Sequence, residues 1–287
     1  MTNHMSRIRN STARHNDRDH IDAAHIHKEK TVDNRYWNMY ENTYSDRNRE
    51  KHMTFAEVEK KAYSELFGEH IKDINSRAEK SRHTERKISV KKMLSNPRTM
   101  PQETIFQIGS MKNRAIENVS DIWNIWNAFI SWHKKTYPQI CILDYALHTD
   151  ESYYHIHMRQ CYTYMDDNKI MREGQEKALE QMGIPLPNPE EKRGRYNNRK
   201  MTYTKDVSVK LKEICKEFGY EIEEKPLKQK HNLKKEEAIL QEIKKESREL
   251  QQKMKYMNEF EKAYKQIRNE LDEEIERERI KNKNRER

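Results

Sequence analysis

Three histidines and two acidic residues fall within one short run of this chain, His148-Thr149-Asp150-Glu151-Ser152-Tyr153-Tyr154-His155-Ile156-His157. The segment before it, Ile140 to Leu147, is rich in β-branched and apolar residues, and the segment Tyr153 to Tyr164 alternates in polarity. Both patterns indicate strands. The polar residues between them are suited to a turn, so the run predicts a β-hairpin.

A hairpin of this kind would bring the three histidines together. Residues two apart in a strand project to the same face, so His155 and His157 point the same way, and the turn places His148 beside them. Such a site with open coordination positions suits Mn²⁺, Zn²⁺ or Mg²⁺, although nitrogen ligands favour the softer ions. We therefore predict a divalent-metal site at His148, His155 and His157. Glu151 is placed beside it as a general base, and the nucleophile stays open between water, a tyrosine and a histidine.

The composition favours an anionic partner. The chain has 287 residues, of which 33% are hydrophobic and 37% charged, so part of its length is solvated and not packed core. A net charge of +9 is typical of a protein that binds nucleic acid, although both signs are abundant. No apolar run approaches the roughly 20 residues of a membrane span. The three scattered cysteines indicate neither disulfides nor a cysteine-based zinc site, and we expect a cytoplasmic protein.

The first half of the chain gives mixed signals. Residues 1–50 are polar and histidine-rich, typical of a disordered basic arm, unless the aromatic residues of Tyr36-Trp37-Asn38-Met39-Tyr40 anchor the segment to a sheet. Thr54 and Glu57 form a capping box that opens a helix, which we expect to continue past Gly68 with some break. Residues 75–95 are strongly charged, either as a solvated helix face or as a segment that contacts phosphates.

Further strands and helices are predicted from apolar periodicity and from the proline and glycine residues that end them. A short strand is expected at Glu103 to Gly109, and a helix from Ser120 that ends before Tyr137-Pro138 and packs its aromatic face as core. Two more helices are expected, one near Glu173 to Met182 and one capped by Thr204 and closed by Gly219.

A basic segment lies between the last two helices. It combines cationic, amide and aromatic side chains around a glycine, a mixture that suits a phosphate backbone and a stacked base. An ordinary charged loop is the alternative. The predicted DNA-binding residues are Arg193, Arg195, Tyr196, Asn197, Asn198, Arg199 and Lys200.

The chain changes character after residue 225. Neither glycine nor proline follows Pro226, and apolar residues recur every seven positions at Ile243, Leu250, Met257, Tyr264 and Leu271. This repeat predicts a long C-terminal helix or coiled coil with an imperfect second seam. We therefore expect a globular domain over residues 1–225 and a charged helical tail over 226–287, through which the chain self-associates or binds a protein partner.

The hairpin resembles a known family signature. His148, Asp150, Glu151, His155 and His157 have the spacing of the H-x-D-E-x-x-P-H-x-H motif of MobV-type relaxases, the Mob/Pre plasmid mobilisation and recombination proteins, which belong to the HUH endonucleases. The run Arg14 to Arg18 is similar to the H-N-x-R segment near the N-terminus of that family. Segments at 33–36, 107–109 and 195–200 also resemble family stretches, so the resemblance covers about residues 10 to 220.

The resemblance implies a fold, a reaction and roles for residues. The fold would be α+β, an antiparallel sheet with flanking helices. The three hairpin histidines would bind Mn²⁺ or Mg²⁺, and the enzyme would nick one strand of supercoiled origin DNA and stay joined to the 5′ phosphate. His15 would be the nucleophile, Glu151 the base, and Arg18 a phosphate-contacting or positioning residue.

Two departures from the family pattern bear on activity. Tyr154 stands where the family has proline, which either shifts the hairpin or adds an aromatic residue to the site. The first residues also lack the apolar strand that opens these enzymes. Two other functions therefore compete with the relaxase hypothesis: a non-catalytic DNA-binding or replication-accessory protein, and a metallonuclease that uses water.

Overall fold

A computed structural model describes residues 3–8, 13–18, 28–108, 118–151 and 154–220, together with single helical residues between 244 and 268. The chain divides into two compact units, Met1–Pro226 and Leu227–Arg287. No helix among the described residues has the length and apolar character needed to cross a bilayer.

The first unit is an α+β domain built on one antiparallel sheet. Its strands in chain order are β1 (Asn3–Ile8), β2 (Arg35–Asn38), β3 (Glu41–Ser45), β4 (Gln102–Ile108), β5 (Ile140–His148), β6 (His155–Met165) and β7 (Met171–Glu173). Six strands follow the order β1-β4-β6-β5-β2-β3, and the short β7 pairs with the end of β6. The strand β6 is central because β4 and β5 pair with it on either side, and its residues 155–163 are all buried.

Helices cover both faces of this sheet. They are α1 (Ala13–Asn16), α2 (Phe55–Lys80), α3 (Val90–Ser95), α4 (Val119–Thr136), α5 (Gln175–Gln181) and α6 (Arg199–Glu217). The helices α4, α5 and α6 form the main core with one face of the sheet, where Trp126 and Phe129 are fully buried. Burying each such side chain contributes about 1.5–3 kcal/mol. The helices α2 and α3 form a second core with the opposite face, which includes Leu143 and Cys161.

Alternation along β6 separates the two faces chemically. Ile156, Met158 and Tyr162 point into the core formed with α4 and α6. His157 and Arg159 point the other way, and the Arg159 guanidinium pairs with Glu59 of α2. The central strand thus supplies apolar packing to one side of the sheet and a polar site to the other.

Three segments within the first 50 residues, β1, β2 and β3, belong to the sheet, which corrects two expectations. The strand β1 pairs with β4 from Asn3↔Ile108 to Ile8↔Glu103, and β2 pairs with β5. The expected absence of an opening strand and the disordered arm are therefore wrong for these segments. An edge strand is held by backbone hydrogen bonds along its partner, so it does not need the apolar run that periodicity detects. Tyr36 is fully buried against Phe55, in line with the anchoring alternative.

Several helix boundaries also differ from expectation. The capping box at Thr54 and Glu57 is present, but α2 runs through Gly68 without a break. The predicted cap at Thr204 is wrong, since α6 begins at Arg199 and the Asn198 side chain accepts the amide of Met201. The helix expected from Glu173 begins at Gln175 because Met171–Glu173 forms β7. The helix expected from Ser120 begins at Val119, where Asn118 is the cap.

The second unit is described only at single positions. These residues are helical, and their large apolar side chains are exposed. Those of the seven-residue repeat are Leu250, Met257 and Tyr264. Ile243 and Leu271 of the same repeat lie outside the described residues.

Candidate metal centre

The three hairpin histidines meet on the polar face of the sheet. His148 ends β5 and is paired with His155 at the start of β6, while His157 lies opposite Ala146. The His157 ring centroid lies 4.8 Å from both the His148 and the His155 centroid, and His148 and His155 are 5.4 Å apart. All three side chains are buried. The residues of the turn at 152–153 lie outside the described part of the chain.

Hydrogen bonds fix the tautomers of two of these histidines. His148 donates from Nε2 to the carbonyl oxygen of Asn16 over 2.8 Å, and His157 donates from Nδ1 to Oε1 of Glu103 over 2.6 Å. Each ring therefore keeps its lone pair on the other nitrogen. Those atoms, Nδ1 of His148 and Nε2 of His157, are buried without a hydrogen-bond partner among the described residues.

Two orphaned lone pairs in one buried cluster fit a bound cation. Buried polar atoms are nearly always satisfied, and an imidazole held through its second nitrogen by a carboxylate or carbonyl is the usual arrangement of a metal ligand. Burial, together with the neighbouring His157, also lowers the pKa of His148 well below its ordinary value. The neutral ring that results is the form that coordinates a metal.

The donor atoms form two overlapping sets. His15, His148 and His157 make one, and His148, Glu151 and His155 make the other, with the donors of each set within 4.8 Å of one another. His148 is common to both. The nitrogen-rich donor set, with one carboxylate, suits Mn²⁺ or Zn²⁺ and also admits Mg²⁺.

His15 reaches this cluster from the distant N-terminal segment. Its ring lies edge-on to His157 at 5.4 Å and to His148 at 6.0 Å between centroids. The side chain is half-buried, and burial lowers its pKa to about 4, helped by His157 and Arg18 and opposed by Glu151 and Glu103. The ring is therefore neutral at physiological pH, with a lone pair available.

The short helix α1 is held in place by its own neighbours. Asp17 accepts the backbone amide of Phe55 at the start of α2 and the guanidinium of Arg49, both at 3.1 Å. Asn16 donates its side-chain amide to Glu103 over 3.1 Å and its carbonyl accepts from His148. Asn16, the residue after His15, is thereby tied directly to His148, one of the candidate metal ligands.

Arg18 and Asp150 form a buried clasp behind the cluster. Arg18 bonds both carboxylate oxygens of Asp150, at 2.9 and 2.6 Å, and reaches Oε1 of Glu151 at 3.1 Å. Asn34 donates to Asp150 over 2.8 Å and accepts the Thr149 amide. Arg18 takes a left-handed backbone conformation with φ of 56°, which the surrounding bonds must hold. The clasp thereby fixes Asp150 and Glu151 beside the histidines.

Sequence reasoning missed the residues behind His157. Glu103 of β4 accepts from His157, Asn16 and Arg159, and Arg159 is paired in turn with Glu59 of α2. All three are buried. The available signal was Glu103, a charged residue inside an otherwise strand-like run, but its partners lie 54 to 87 positions away in sequence.

Tyr154 lies on the core side of the hairpin. It is half-buried and packs against the main core, where it lines a small cavity with Trp126, Phe106 and His155. The strand β6 starts immediately after it. A tyrosine in place of the family's proline is thus accommodated as an apolar contact beside the site.

The basic segment at 193–200 lies with the helices of the other face. Lys200 contacts the Tyr162 hydroxyl at 2.5 Å, Arg199 pairs with Glu176 at 2.7 Å, and Asn197 is buried and bonds loop carbonyls. Asn198 caps α6. Arg193, Arg195 and Tyr196 remain exposed. The structure therefore brings together His15, Arg18, Glu151 and the three hairpin histidines, but not this segment.

Comparison with known proteins gives matches only among solved structures. No family model and no curated protein matches the chain. The chain is similar to the MobM relaxase domain (MOBV; Mob_Pre), in Mn-bound crystal structures with plasmid pMV158 oriT DNA at pH 4.6 and 5.5. The identities are 13% and 14% and the TM-scores 0.42 and 0.45, over 82% of this chain and 96% and 95% of those chains. At this level the similarity carries no functional conclusion, and those drawn below rest on this chain's own residues.

Proposed function

We propose that this protein is a relaxase, a DNA strand transferase that cuts one strand by metal-assisted transesterification and stays joined to the 5′ phosphate. The observation that carries the proposal is the meeting of His15 with the hairpin histidines, two of which present unpartnered lone pairs. A structural histidine cluster gives no reason for both features. Plasmid or mobile-element mobilisation and recombination are the processes that use such a reaction.

His148, His155 and His157 would hold the ion, for which we propose Mn²⁺ or Mg²⁺. A divalent cation bound there would neutralise charge on the scissile phosphate. Glu103 and the Asn16 carbonyl orient two of the three rings. The protein's part in metal binding is therefore to hold the His148 and His157 rings so that the second nitrogen of each points away from its supporting group.

We assign the nucleophile to His15. A bond forms between its ring nitrogen and phosphorus while the bond from phosphorus to the 3′ oxygen breaks. The 3′ oxygen leaves and takes up a proton, and the His15 ring gives one up to Glu151 as general base. Among the tyrosines, Tyr36 and Tyr44 are buried with 0% and 6% of their surface exposed, whereas His15 is half-buried and its pKa is lowered.

Arg18 acts as a positioning residue in this proposal. Its guanidinium is already engaged by Asp150 and Glu151, and almost none of it is exposed. A cation so fully paired has little capacity left for a phosphate. It holds Glu151, whose Oε1 lies 3.6 Å from Nε2 of His155, at the edge of the cluster.

In the basic segment, the predicted DNA-binding residues fall into an exposed group and a group engaged within the protein. Arg193, Arg195 and Tyr196 are exposed and would meet DNA directly. The Arg195 guanidinium stacks over the Tyr196 ring at 5.4 Å, an arrangement that can extend to a base. Asn197, Asn198, Arg199 and Lys200 would support this contact by holding the loop and starting α6.

One observation favours a second candidate, a metallonuclease that uses water. His15 belongs to a donor set with His148 and His157, so it is placed to be a fourth ligand instead of a nucleophile. In that case the His15→Ala variant would lose metal affinity. The products would carry free 5′ phosphates with no protein attached.

The experiment that tests the proposal is a nicking assay. Supercoiled DNA carrying the cognate origin is incubated with Mn²⁺, and the DNA-linked peptide is identified by mass spectrometry. We expect a covalent adduct at His15, lost in His15→Ala while Mn²⁺ affinity and DNA binding persist. The matched control His83→Ala, at an exposed histidine, should leave the adduct unchanged. An adduct in His15→Ala contradicts the assignment.

A further inference from the structure

The second half of α2, the turn Thr84–Arg86 and α3 concentrate the positive charge of the domain. Between Lys72 and Arg98 the chain carries nine lysines and arginines and three acidic residues. This is a net charge of six positive in one segment, against nine positive for the whole chain. We call it the basic surface. Its exposed cations are Lys72, Arg77, Lys80, Arg82, Arg86, Lys91, Lys92 and Arg98.

The acidic residues of this segment neutralise only part of the surface. Asp73 pairs with Arg77 at 2.9 Å and Glu79 with Lys87 at 2.6 Å. Lys80, Arg82, Lys91 and Arg98 form no side-chain hydrogen bond or ion pair with any residue that the structure describes. Like charges held close together repel one another, so an unpaired group of this kind is stabilised by an anionic partner.

The basic surface is connected to the metal centre through α2. Near its start, Glu59 pairs with Arg159, which bonds the Glu103 that orients His157. One turn later the Tyr63 hydroxyl bonds the carbonyl of Thr99, next to Arg98. At 1.5 Å per residue, α2 spans about 30 Å from Glu59, which contacts the metal centre through Arg159, to Lys80 of the basic surface. This span equals about nine base pairs of duplex.

We propose that the basic surface binds the phosphate backbone of duplex DNA adjoining the strand that enters the metal centre. Isolated cations of one sign along a helix match a polyanion with evenly spaced charges, and no aromatic residue or cleft is needed for such contacts. The surface therefore supplies affinity without sequence preference. The identity of the polyanion as DNA rests on the proposed function.

The test compares two random-sequence DNA probes by fluorescence anisotropy over a range of salt concentrations. One is single-stranded, and the other carries a hairpin stem of about nine base pairs. In the triple variant Lys80→Ala, Arg82→Ala, Lys91→Ala, the salt slope for the stem-bearing probe should fall by about three, one for each phosphate contact. Binding of the single-stranded probe should stay within about twofold, since it lacks the duplex that these cations contact.

The matched control removes three cations from the helix on the other face, with Lys205→Ala, Lys212→Ala and Lys216→Ala. It should leave the slope unchanged. An equal fall in both triple variants overturns the proposal, as does an unchanged slope in the first. Equal weakening for the single-stranded probe overturns the assignment of the surface to duplex. If the slope falls as expected but no covalent adduct forms, the surface stands and the proposed function fails.

Discussion

His157 and Glu103 are joined by a 2.6 Å hydrogen bond from Nδ1 to Oε1 across the pairing of β6 with β4. The same carboxylate receives Asn16 and Arg159 through its other oxygen. One side chain thus orients a metal-ligating candidate, anchors the segment that carries His15 and neutralises a buried cation. Replacing Glu103 should therefore weaken metal binding first.

The Glu103→Gln variant should bind Mn²⁺ about 10- to 100-fold more weakly, because the amide is a poorer partner for His157 and supports its ring less firmly. Isothermal titration calorimetry measures the change. Glu69→Gln, at an exposed glutamate, is the control and should leave the affinity unchanged. Equal affinities for both variants would show that Glu103 has no role in metal binding.

Mn²⁺ should raise the Tm of the protein. A ligand at 100 times its Kd stabilises the folded state by about 2.7 kcal/mol, which is readily seen in a thermal melt. His155→Ala should reduce or abolish the increase, whereas His83→Ala should keep it. An undiminished increase in His155→Ala would place the ion elsewhere.

The clasp of Arg18 and Asp150 should contribute strongly to stability. Asp150→Asn leaves a buried guanidinium without its main counter-charge, at a cost of about 3–5 kcal/mol in the free energy of unfolding. The control is Glu79→Gln, which weakens the exposed pair with Lys87 and should leave the free energy of unfolding almost unchanged. Urea denaturation compares the two. Similar losses would mean that Arg18 is solvated or finds another partner.

Acid should destabilise the domain through His133. This buried side chain bonds Tyr203 at 2.8 Å, and burial, with Lys200 and Lys134 nearby, lowers its pKa to about 3. The unfolded chain takes up the proton near pH 6.5, so between pH 6.5 and 3 the unfolded state binds more protons. Stability therefore falls as the pH is lowered through this range, by up to about 1.4 kcal/mol per pH unit from this residue.

The comparison of wild type with His133→Gln isolates this contribution. Urea unfolding at pH 7 and pH 5 should show a smaller pH dependence in the variant, by as much as one proton. The other buried histidines are common to both proteins and cancel. An identical pH dependence would indicate that His133 titrates normally.

The tail should mediate self-association, which we propose from the exposed repeat of Leu250, Met257 and Tyr264. Replacing all three with glutamate should convert the assembly to a monomer in sedimentation equilibrium, without changing the Tm of the first unit. The control replaces Lys244, Arg248 and Lys265 with glutamine. A wild-type protein that is monomeric at high concentration contradicts the proposal.

The sequence was most informative where chemistry and spacing are local. The capping box at Thr54, the two hairpin strands and the aromatic face of α4 all follow from neighbours within a few residues. The start of α6 at Arg199, which replaces the predicted cap at Thr204, was not fixed by local sequence alone. The pairing of Arg199 with Glu176 favours the earlier start, and it involves another helix.

The candidate site was only half accessible to sequence reasoning for the same reason. His148, His155 and His157 are brought together by one hairpin, and periodicity predicts a hairpin. Glu103 and Glu59 become neighbours of Arg159 only through strand order and register, which alternating polarity does not specify. The position of His15 depended on a resemblance, because nothing within residues 13–18 indicates which element they pack against.

Asn16 bonds His148 through its carbonyl and Glu103 through its amide, and it is the residue next to His15 in the chain. The free energy of ion binding and the free energy of holding His15 in place are therefore coupled through one residue. Such coupling is reciprocal. If a bound phosphate positions His15 and thereby raises the affinity for the ion, the ion should raise the affinity for the phosphate by the same factor.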